Sequence, residues 1–417
     1  MKKTRPKTKK PNGVIYFMAY VLLYPVLKLF FGLRVDKTAY EPPKGPFIAV
    51  CNHQSFMDFL LAMLPFYPRR MNAVAAQKYF YFKPLDKLLP LMGCIPKNLF
   101  DADARSVKQI MSVIRRGGRV LLFPEGRGST DGVYAGINKA TAKLIKKLGV
   151  PVVGCRIEGS YNCMPFWRKG IRRGRMSITL KNLFSAEDTK RLALDELNEG
   201  IDAALGGEIG GAVKKPLGVF REKRLAEGLE NILYLCPACL SEFTLASRSN
   251  AVSCASCGAG ARLDRFGNLH PDAGSVLPLS IHEWYKAQAS YELRRLDKAM
   301  APVRVRVILR MRAEEGSGMA EVGSGELSLD AAGWRYKGLV RGGEAELFFP
   351  LETVPAVPFD PLDNFQIYSG GKIYVFTPID DARASVKYSV LGECTYWKFS
   401  PSPQMTPGFD SGMTNDA

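Results

Sequence analysis

The spacing of apolar residues changes once along this chain, and that change decides what cores it must build. Between residues 40 and 200, short apolar runs alternate with segments of helical spacing. "GPFIAVCNH", "RVLLFPEG", "VPVVGCRI" and "RMSITL" read as strands. "FMDFLLAMLPF", "RSVKQIMSVIRRGG" and "GINKATAKLIKKLG" read as helices, the last two stopped by glycine. This is α/β patterning. From about 303 to 400 the period becomes two. "VRVRVILRMRAE", "GELSLDAAGWRYKG", "GEAELFFP", "NFQIYSGGKIYVFTP" and "ASVKYSVLGECTYWKF" read as strands, with "YSGGKIY" as a tight hairpin.

Between these regions, "GGEIGGAVKKP" marks a boundary near residue 215. A cysteine cluster follows at 234–270, then a helical segment, "SIHEWYKAQASYELRRLDKAM", at about 280–300. The 417 residues allow roughly three domains. The expected organisation is a basic leader and apolar helix at 1–35, an α/β domain at 36–215, a linker and cysteine module at 216–275, a helical connector at 276–302, a β domain at 303–400, and a disordered tail at 401–417. The tail has little to bury.

Charge is divided in the same way. Residues 1–215 hold 37 Lys+Arg against 16 Asp+Glu, whereas the remainder is slightly acidic. The first half therefore favours an anionic partner: nucleic acid, anionic lipid or a phosphorylated substrate. The stretch Val14 to Leu33 is apolar over about one bilayer thickness. Pro25 and Lys28 interrupt it, and six Lys/Arg precede it, which favours a cytoplasmic N-terminus. A kinked helix lying in the cytoplasmic leaflet keeps the rest of the chain inside; a single span would place it outside. A signal peptide fits poorly, because no small-residue cleavage site follows. The basic leader and the apolar stretch supply the two signals that stable attachment needs.

Nine cysteines form no disulfide framework. Cys236 and Cys239 make one C-x2-C pair, and Cys254 and Cys257 another, 14 residues later. Two such knuckles resemble a zinc ribbon, in which four cysteines coordinate the metal. Four thiolates leave no open position, so the expected zinc is structural. His270 and His282 lie outside the knuckles and read as surface or packing residues.

Two stretches can carry chemistry. In "CNHQSFMD", His53 and Asp58 would not share a face of one continuous helix; they can converge if His53 sits in a strand-to-helix turn and Asp58 in the first helical turn, whereas otherwise His53 is a histidine satisfied at a strand end. Ser55 and Asp58 also match the capping-box spacing, with Ser55 as N-cap. In "VLLFPEGRGS", a strand breaks at Pro124 into Glu125, Gly126, Arg127, Gly128 and Ser129. Ligands sit at strand carboxyl ends in α/β sheets, glycine permits close approach, and Arg127 offers a fork for phosphate. Cys51, two residues before His53, ends an apolar strand and reads as core rather than as a nucleophile.

Together these stretches resemble the glycerolipid acyltransferase family, which includes 1-acylglycerol-3-phosphate acyltransferases. Asn52, His53 and Asp58 match the family's N-H-x4-D. Phe123, Pro124, Glu125, Gly126 and Ser129 match F-P-E-G-T-R-S, with Arg127 and Gly128 in its Thr and Arg positions. "GCIPKN" follows G-x-I-x-x-R at Gly93 and Ile95, with Asn98 in place of Arg and Lys97 as a substitute cation. Val150 to Val153 match V-P-V-V. The resemblance covers roughly residues 14–200. It implies His53 as general base, Asp58 as its partner, and Glu125, Gly126, Arg127, Ser129 and Lys97 at the acceptor site. It also implies an acyl-CoA or acyl-carrier-protein donor, a lysophospholipid acceptor (1-acylglycerol-3-phosphate first, glycerol-3-phosphate or another lysophospholipid as alternatives) and a membrane phospholipid surface. The β domain more weakly resembles pleckstrin-homology or GRAM modules, which suit an interaction domain. The overall expectation is an acyltransferase α/β fold with a membrane-associated helix, a zinc ribbon and a PH-like β domain on the cytoplasmic face. A nucleic-acid partner is not expected, because the ribbon lies in the half without basic excess. A lipid-binding scaffold without activity is the competing reading, which the intact His53 and Asp58 oppose.

Overall fold

The computed structural model describes residues 8–99, 103–137, 140–206, 222–296 and 301–400. The first seven residues of the leader, the "GGEIGGAVKKP" boundary from its second glycine onward and the 401–417 tail lie outside the described residues. Contacts group the chain into two units: Met1–Ser129, Tyr134–Met164 and Arg173–Gly218 in the first, and Thr130–Val133, Pro165–Arg172 and Val219–Ala417 in the second.

The first unit begins with α1 (Gly13–Phe31). The Asn12 side chain accepts from the amides of Val14 and Ile15, at 2.9 and 3.2 Å. Pro25 lies inside α1 and removes one backbone donor from its ladder. Tyr16, Leu27 and Phe31 are buried, whereas Leu29, Val14, Val26 and Leu22 stand exposed. By length and composition α1 could cross a membrane.

Seven strands form the first sheet: β1 (Arg34–Ala39), β2 (Ile48–Cys51), β3 (Asn72–Ala76), β4 (Ile95–Lys97), β5 (Val120–Leu122), β6 (Val152–Glu158) and β7 (Ser177–Phe184), in the order β1-β7-β6-β2-β5-β3-β4. Strands β6, β2, β5, β3 and β4 are mutually parallel. Strand β7 is antiparallel to β6, and β1 is parallel to β7. The central strands β2 and β5 are buried throughout, as apolar runs covered on both faces require. Helices α2 (Asp58–Met63), α3 (Leu85–Leu91), α4 (Ala104–Arg115), α5 (Ala140–Leu148), α6 (Ser160–Cys163), α7 (Ala186–Arg191) and α8 (Leu194–Gly206) complete the unit. Ile110, Val113, Ile145, Leu197 and Ile201 pack with Ile48, Val120 and Val152 in one core. Strands β1, β3 and β4 and helices α3 and α6 have no counterpart in the sequence reading: β1 is mostly exposed, β4 and α6 are only three and four residues long, and α3 carries Pro90.

The second unit holds the cysteine module, with antiparallel β8 (Leu245–Arg248), β9 (Ala251–Cys254), β10 (Gly260–Leu263) and β11 (Leu269–Pro271). Helix α9 (Ile281–Arg295) follows. A second seven-stranded sheet comprises β12 (Val303–Arg312), β13 (Met319–Asp330), β14 (Gly333–Val340), β15 (Gly343–Pro350), β16 (Phe359–Asp360), β17 (Asn364–Ser369) and β18 (Lys372–Pro378). Its order is β15-β14-β13-β12-β18-β17-β16, antiparallel throughout. The hairpin read at "YSGGKIY" joins β17 to β18, with Gly370 and Gly371 at φ +58° and +72°, the conformation a two-residue turn demands.

One element corrects the sequence reading. "ASVKYSVLGECTYWKF" is not a strand but α10 (Ala384–Phe399). From Ala384 to Tyr396 only Lys387 escapes burial. A helix buried almost all round shows no 3.6-residue stripe, and the spacing of Val386, Tyr388 and Val390 imitates a strand. At Gly392 a Cβ would lie 2.7 Å from the Trp334 ring, so the glycine lets α10 close onto the sheet.

Candidate active site

His53 and residues 123–129 follow β2 and β5, which are neighbours and parallel, so both loops emerge at the same carboxyl end of the sheet. Backbone bonds knit them together. The Ser129 amide donates to the His53 carbonyl at 2.8 Å. Asn52 braces the other side: its amide donates to Ile157 O at 2.8 Å and accepts from Ile157 N at 2.7 Å. Asn52 is thus a full backbone partner for β6, a role that its place in the sequence motif did not reveal.

His53 Nδ1 lies 3.1 Å from Asp58 Oδ2. Asp58 is fully buried, while the His53 side chain keeps 24% of its surface. Asp58 also accepts from the amides of Gln54 and Ser55, at 2.5 and 2.6 Å, and from Ser55 Oγ at 2.8 Å. A carboxylate held this way accepts a proton-bearing Nδ1, which leaves the Nε2 lone pair free. The capping-box reading needs correction in one part. Helix α2 starts at Asp58, after Met57, and Ser55 Oγ bonds the Asp58 carboxylate instead of capping an amide. The other half of the box, the Ser55 amide donating to the Asp58 carboxylate, is present at 2.6 Å.

Glu125 is the second buried carboxyl. It accepts from the His53 amide at 2.5 Å and from the Ala135 amide at 3.1 Å. Burial pushes it up to about 8; the two amide bonds pull it down, Asp58 raises it and Arg127 lowers it. No sequence signal pointed to Ala135, because its backbone does the work. The folded state therefore holds the Glu125 proton more tightly than the unfolded chain. That contribution to stability is fully present below about pH 4.5 and is lost as pH rises through about 8. We expect wild-type stability, relative to Glu125→Gln, to fall across this window by up to ~1.4 kcal/mol per pH unit. Denaturant melts at pH 5, 6.5 and 8 check this; a pH-independent difference would refute it.

The His53 ring lies 4.7 Å from the Phe123 ring. A Cβ at Gly128 would sit 3.9 Å from His53 Nε2, in ordinary contact. Gly128 thus lies beside the Nε2 edge of the ring, and the arginine of the loop, Arg127, stands one position earlier. Lys97 ends β4 at the same end of the sheet, but three strands from β2, about 14 Å away by strand spacing. Cys51 is fully buried, with its thiol raised well above the usual range by burial. That environment opposes a thiolate nucleophile.

The four clustered cysteines converge in the second unit. All four sulfurs lie within 4.8 Å of one another. Cys236–Cys257 and Cys239–Cys254 are 3.8 and 3.7 Å apart. Sulfurs placed at the zinc–thiolate bond length around a tetrahedral centre have edges of about 3.8 Å, so the donor set and its dimensions fit. Hydrogen bonds from Ser241 lower Cys239 to about 6, while burial raises Cys236 to about 12, a cost that a bound cation would offset. The quartet could hold a metal ion. His270 bonds Asp264 at 2.8 Å and His282 bonds Asp131 at 2.7 Å, so neither belongs to the quartet.

Residues 32–158 match the acyltransferase family model. The chain is similar to the chloroplast 1-acyl-sn-glycerol-3-phosphate acyltransferase BAT2 of Brassica napus, at 30% identity over 172 residues, 40% of this chain and 48% of that protein. It is similar to the human 1-acyl-sn-glycerol-3-phosphate acyltransferase alpha at 27% identity, over 30% of this chain and 46% of that protein. The solved structure of the 1-acyl-sn-glycerophosphate acyltransferase PlsC of Thermotoga maritima overlaps 45% of this chain and 78% of its own, with a TM-score of 0.38 and 22% identity. The chain spans about half the length of the plant relative and of the human one.

Proposed function

We propose that this chain, with its acyltransferase-family region at residues 32–158, is a membrane-associated O-acyltransferase. It moves a fatty acyl group from the thioester of acyl-CoA or acyl-carrier protein to the free hydroxyl of a lysophospholipid. The first candidate is 1-acylglycerol-3-phosphate, which would become phosphatidic acid. The observation that carries this reading is the His53–Asp58 pair at 3.1 Å, with the carboxylate buried and the imidazole partly exposed at the carboxyl end of the sheet.

In this mechanism His53 Nε2 takes the acceptor hydroxyl proton as its oxygen attacks the thioester carbonyl. The tetrahedral intermediate collapses, the carbon–sulfur bond breaks, and the imidazolium returns the proton to the leaving thiolate. Asp58 stabilises that imidazolium and fixes the tautomer. Arg127 holds the acceptor phosphate, with Gly126 and Ser129 lining its approach and Lys97 supplying a more distant charge. Glu125 braces the turn by binding the His53 and Ala135 amides. Helix α1 attaches the enzyme to the cytoplasmic face of a phospholipid bilayer.

The quartet Cys236, Cys239, Cys254 and Cys257 holds a structural zinc with no open position. Seven antiparallel strands followed by α10 support the PH- or GRAM-like reading of the second sheet, as an interaction domain. The domain limits 36–215, 216–275, 276–302 and 303–400 accompany this proposal.

The shifted arginine favours testing glycerol-3-phosphate and other lysophospholipids beside the first candidate. Labelled acyl-CoA is offered in mixed micelles with each acceptor, and acyl-carrier protein replaces CoA in a parallel series. One phosphorylated acceptor is expected to be labelled. Arg127→Ala is expected to raise its KM at least about tenfold with a smaller change in kcat, the pattern of lost ground-state binding. Absence of transfer with every acceptor and both donors would leave the scaffold reading in its place.

A further inference from the structure

A second group of cations lies at the other end of the first sheet. Strand β1 runs antiparallel to β2, so its carboxyl end meets the amino ends of the parallel strands. Tyr40 follows β1, Phe47 precedes β2, Arg69 and Arg70 precede β3, and Arg119 precedes β5. Their contacts confirm the convergence. The Arg119 guanidinium lies 5.8 Å from the Phe47 ring, and the Tyr40 and Phe66 rings are 5.8 Å apart. Lys37 Nζ donates to Pro65 O at 2.6 Å.

Two features set this group apart from an ordinary basic surface. Arg119 Nε and Tyr40 Oη are buried polar atoms with no hydrogen-bond partner. Buried donors are almost always bonded, so a pair of unmatched ones at one place points to a missing acceptor. The cations also face one another rather than carboxylates. Burial and then Arg69 lower Lys37; burial and then Arg69 lower Arg119. Burial raises Tyr40, against the pull of Arg69 and Arg119. Among the described residues, no carboxylate forms an ion pair with Lys37, Arg69 or Arg119. Like charges gathered around unmatched donors are stabilised by an anion, and guanidinium groups suit phosphate oxygens.

We propose that Lys37, Tyr40, Arg69 and Arg119 form a phosphate-binding site, remote from His53, that takes the headgroup phosphate of a membrane lipid. The lipid source follows from α1. Tyr16 Oη donates to Met71 O at 2.7 Å and accepts from Met71 N at 2.9 Å, and the Tyr20 ring stacks on Tyr67 at 4.2 Å. The apolar helix is therefore fastened two residues on either side of Arg69. Its neighbouring residues Phe17, Met18 and Val21 are exposed. A bilayer that accepts this helix would bring its headgroups to the cations. The site is independent of the reaction assigned to His53.

The test uses the full chain and two vesicle compositions, phosphatidylcholine alone and phosphatidylcholine with phosphatidylglycerol. Lys37→Gln/Arg69→Gln is compared with the charge-matched control Lys143→Gln/Lys147→Gln, on the exposed side of α5. Each cation lost at an anionic surface is expected to cost roughly fivefold in affinity, so the site variant should bind the anionic vesicles about 25-fold less tightly. The control should bind like wild type. In a second arm, inorganic phosphate is compared with chloride at equal ionic strength. It should raise the melting temperature of wild type and not of the site variant. Tyr40→Phe removes only the unmatched hydroxyl and should lose part of that rise, which keeps the site testable if the double variant folds poorly. Equal losses in both double variants would overturn the proposal, since a diffuse basic field would then suffice. Phosphate stabilisation confined to wild type, without any vesicle difference, would keep the anion site and reject the lipid source. No difference in either arm would reject both.

Discussion

His53→Ala is expected to lower kcat for acyl transfer by about 10²–10⁴-fold, with KM for both substrates nearly unchanged. The variant removes the group proposed to take the hydroxyl proton, while Arg127 and the turn at Gly126 remain. Asp58→Asn should give a loss of similar size by a different route. An amide at position 58 can donate to Nδ1, which moves the imidazole proton to Nε2 and removes the lone pair that the proposed mechanism uses. It also leaves the Gln54 and Ser55 donors competing for one oxygen, at about 1–3 kcal/mol of stability for a donor left unmatched. His53→Ala should unfold at close to the wild-type temperature, and Asp58→Asn at a lower one. Single-turnover rates and thermal melts of the three proteins decide the matter. Full activity in His53→Ala would end the general-base mechanism.

The second large effect concerns the cysteine quartet. Purified protein is expected to contain one zinc per chain, and Cys254→Ser to contain none. The consequence should extend beyond the knuckles. Gln288 on α9 accepts from the amides of Tyr234 and Leu235, at 2.7 and 3.1 Å, and donates to Ile232 O at 3.1 Å. Trp284 Nε1 donates to Leu235 O at 2.9 Å, and Lys387 on α10 bonds Glu242 at 2.5 Å. The first knuckle thus sits in a buried polar network whose members satisfy one another. Such a network loses several bonds together when its backbone moves. Structural zinc contributes folding free energy directly, and a loss of about 5 kcal/mol would lower the melting temperature of this unit by roughly 10–20 °C. Elemental analysis, and melts before and after chelation, measure both quantities. A wild-type protein free of zinc, or a chelated one melting unchanged, would contradict the assignment.

How much of this was legible in the sequence varied with the physical signal. Strands β2, β5 and β6 could be read because parallel strands covered on both faces are continuous apolar runs. Helices α4 and α5 could be read because each carries one apolar stripe and a glycine stop. Strand β1 could not, since an exposed edge has no such run, and α10 imitated a strand because burial erased its stripe. Within the site, His53, Asp58 and Glu125 stood in motifs, and the spacing let the first two converge only across a turn. The amide of Ala135 and the bracing of β6 by Asn52 involve backbone partners, which residue types do not encode. The unmatched donors at Arg119 and Tyr40 arise from separated segments, and no local pattern joins them.

Helix α10 has a consequence for the order in which this molecule is made. Strands β12 to β15 pair with their neighbours through short turns and can form as they leave the ribosome. The apolar face of the finished sheet, with Trp334 on β14, Phe365 on β17 and Phe376 on β18, is closed by residues 384–399. At roughly 5–20 residues per second, translation from Val303 to Phe399 leaves that face open for about 5–20 seconds. Throughout that interval the half-built sheet is a natural client for a chaperone, and the lid that ends the exposure is a helix with almost no side of its own fit for water.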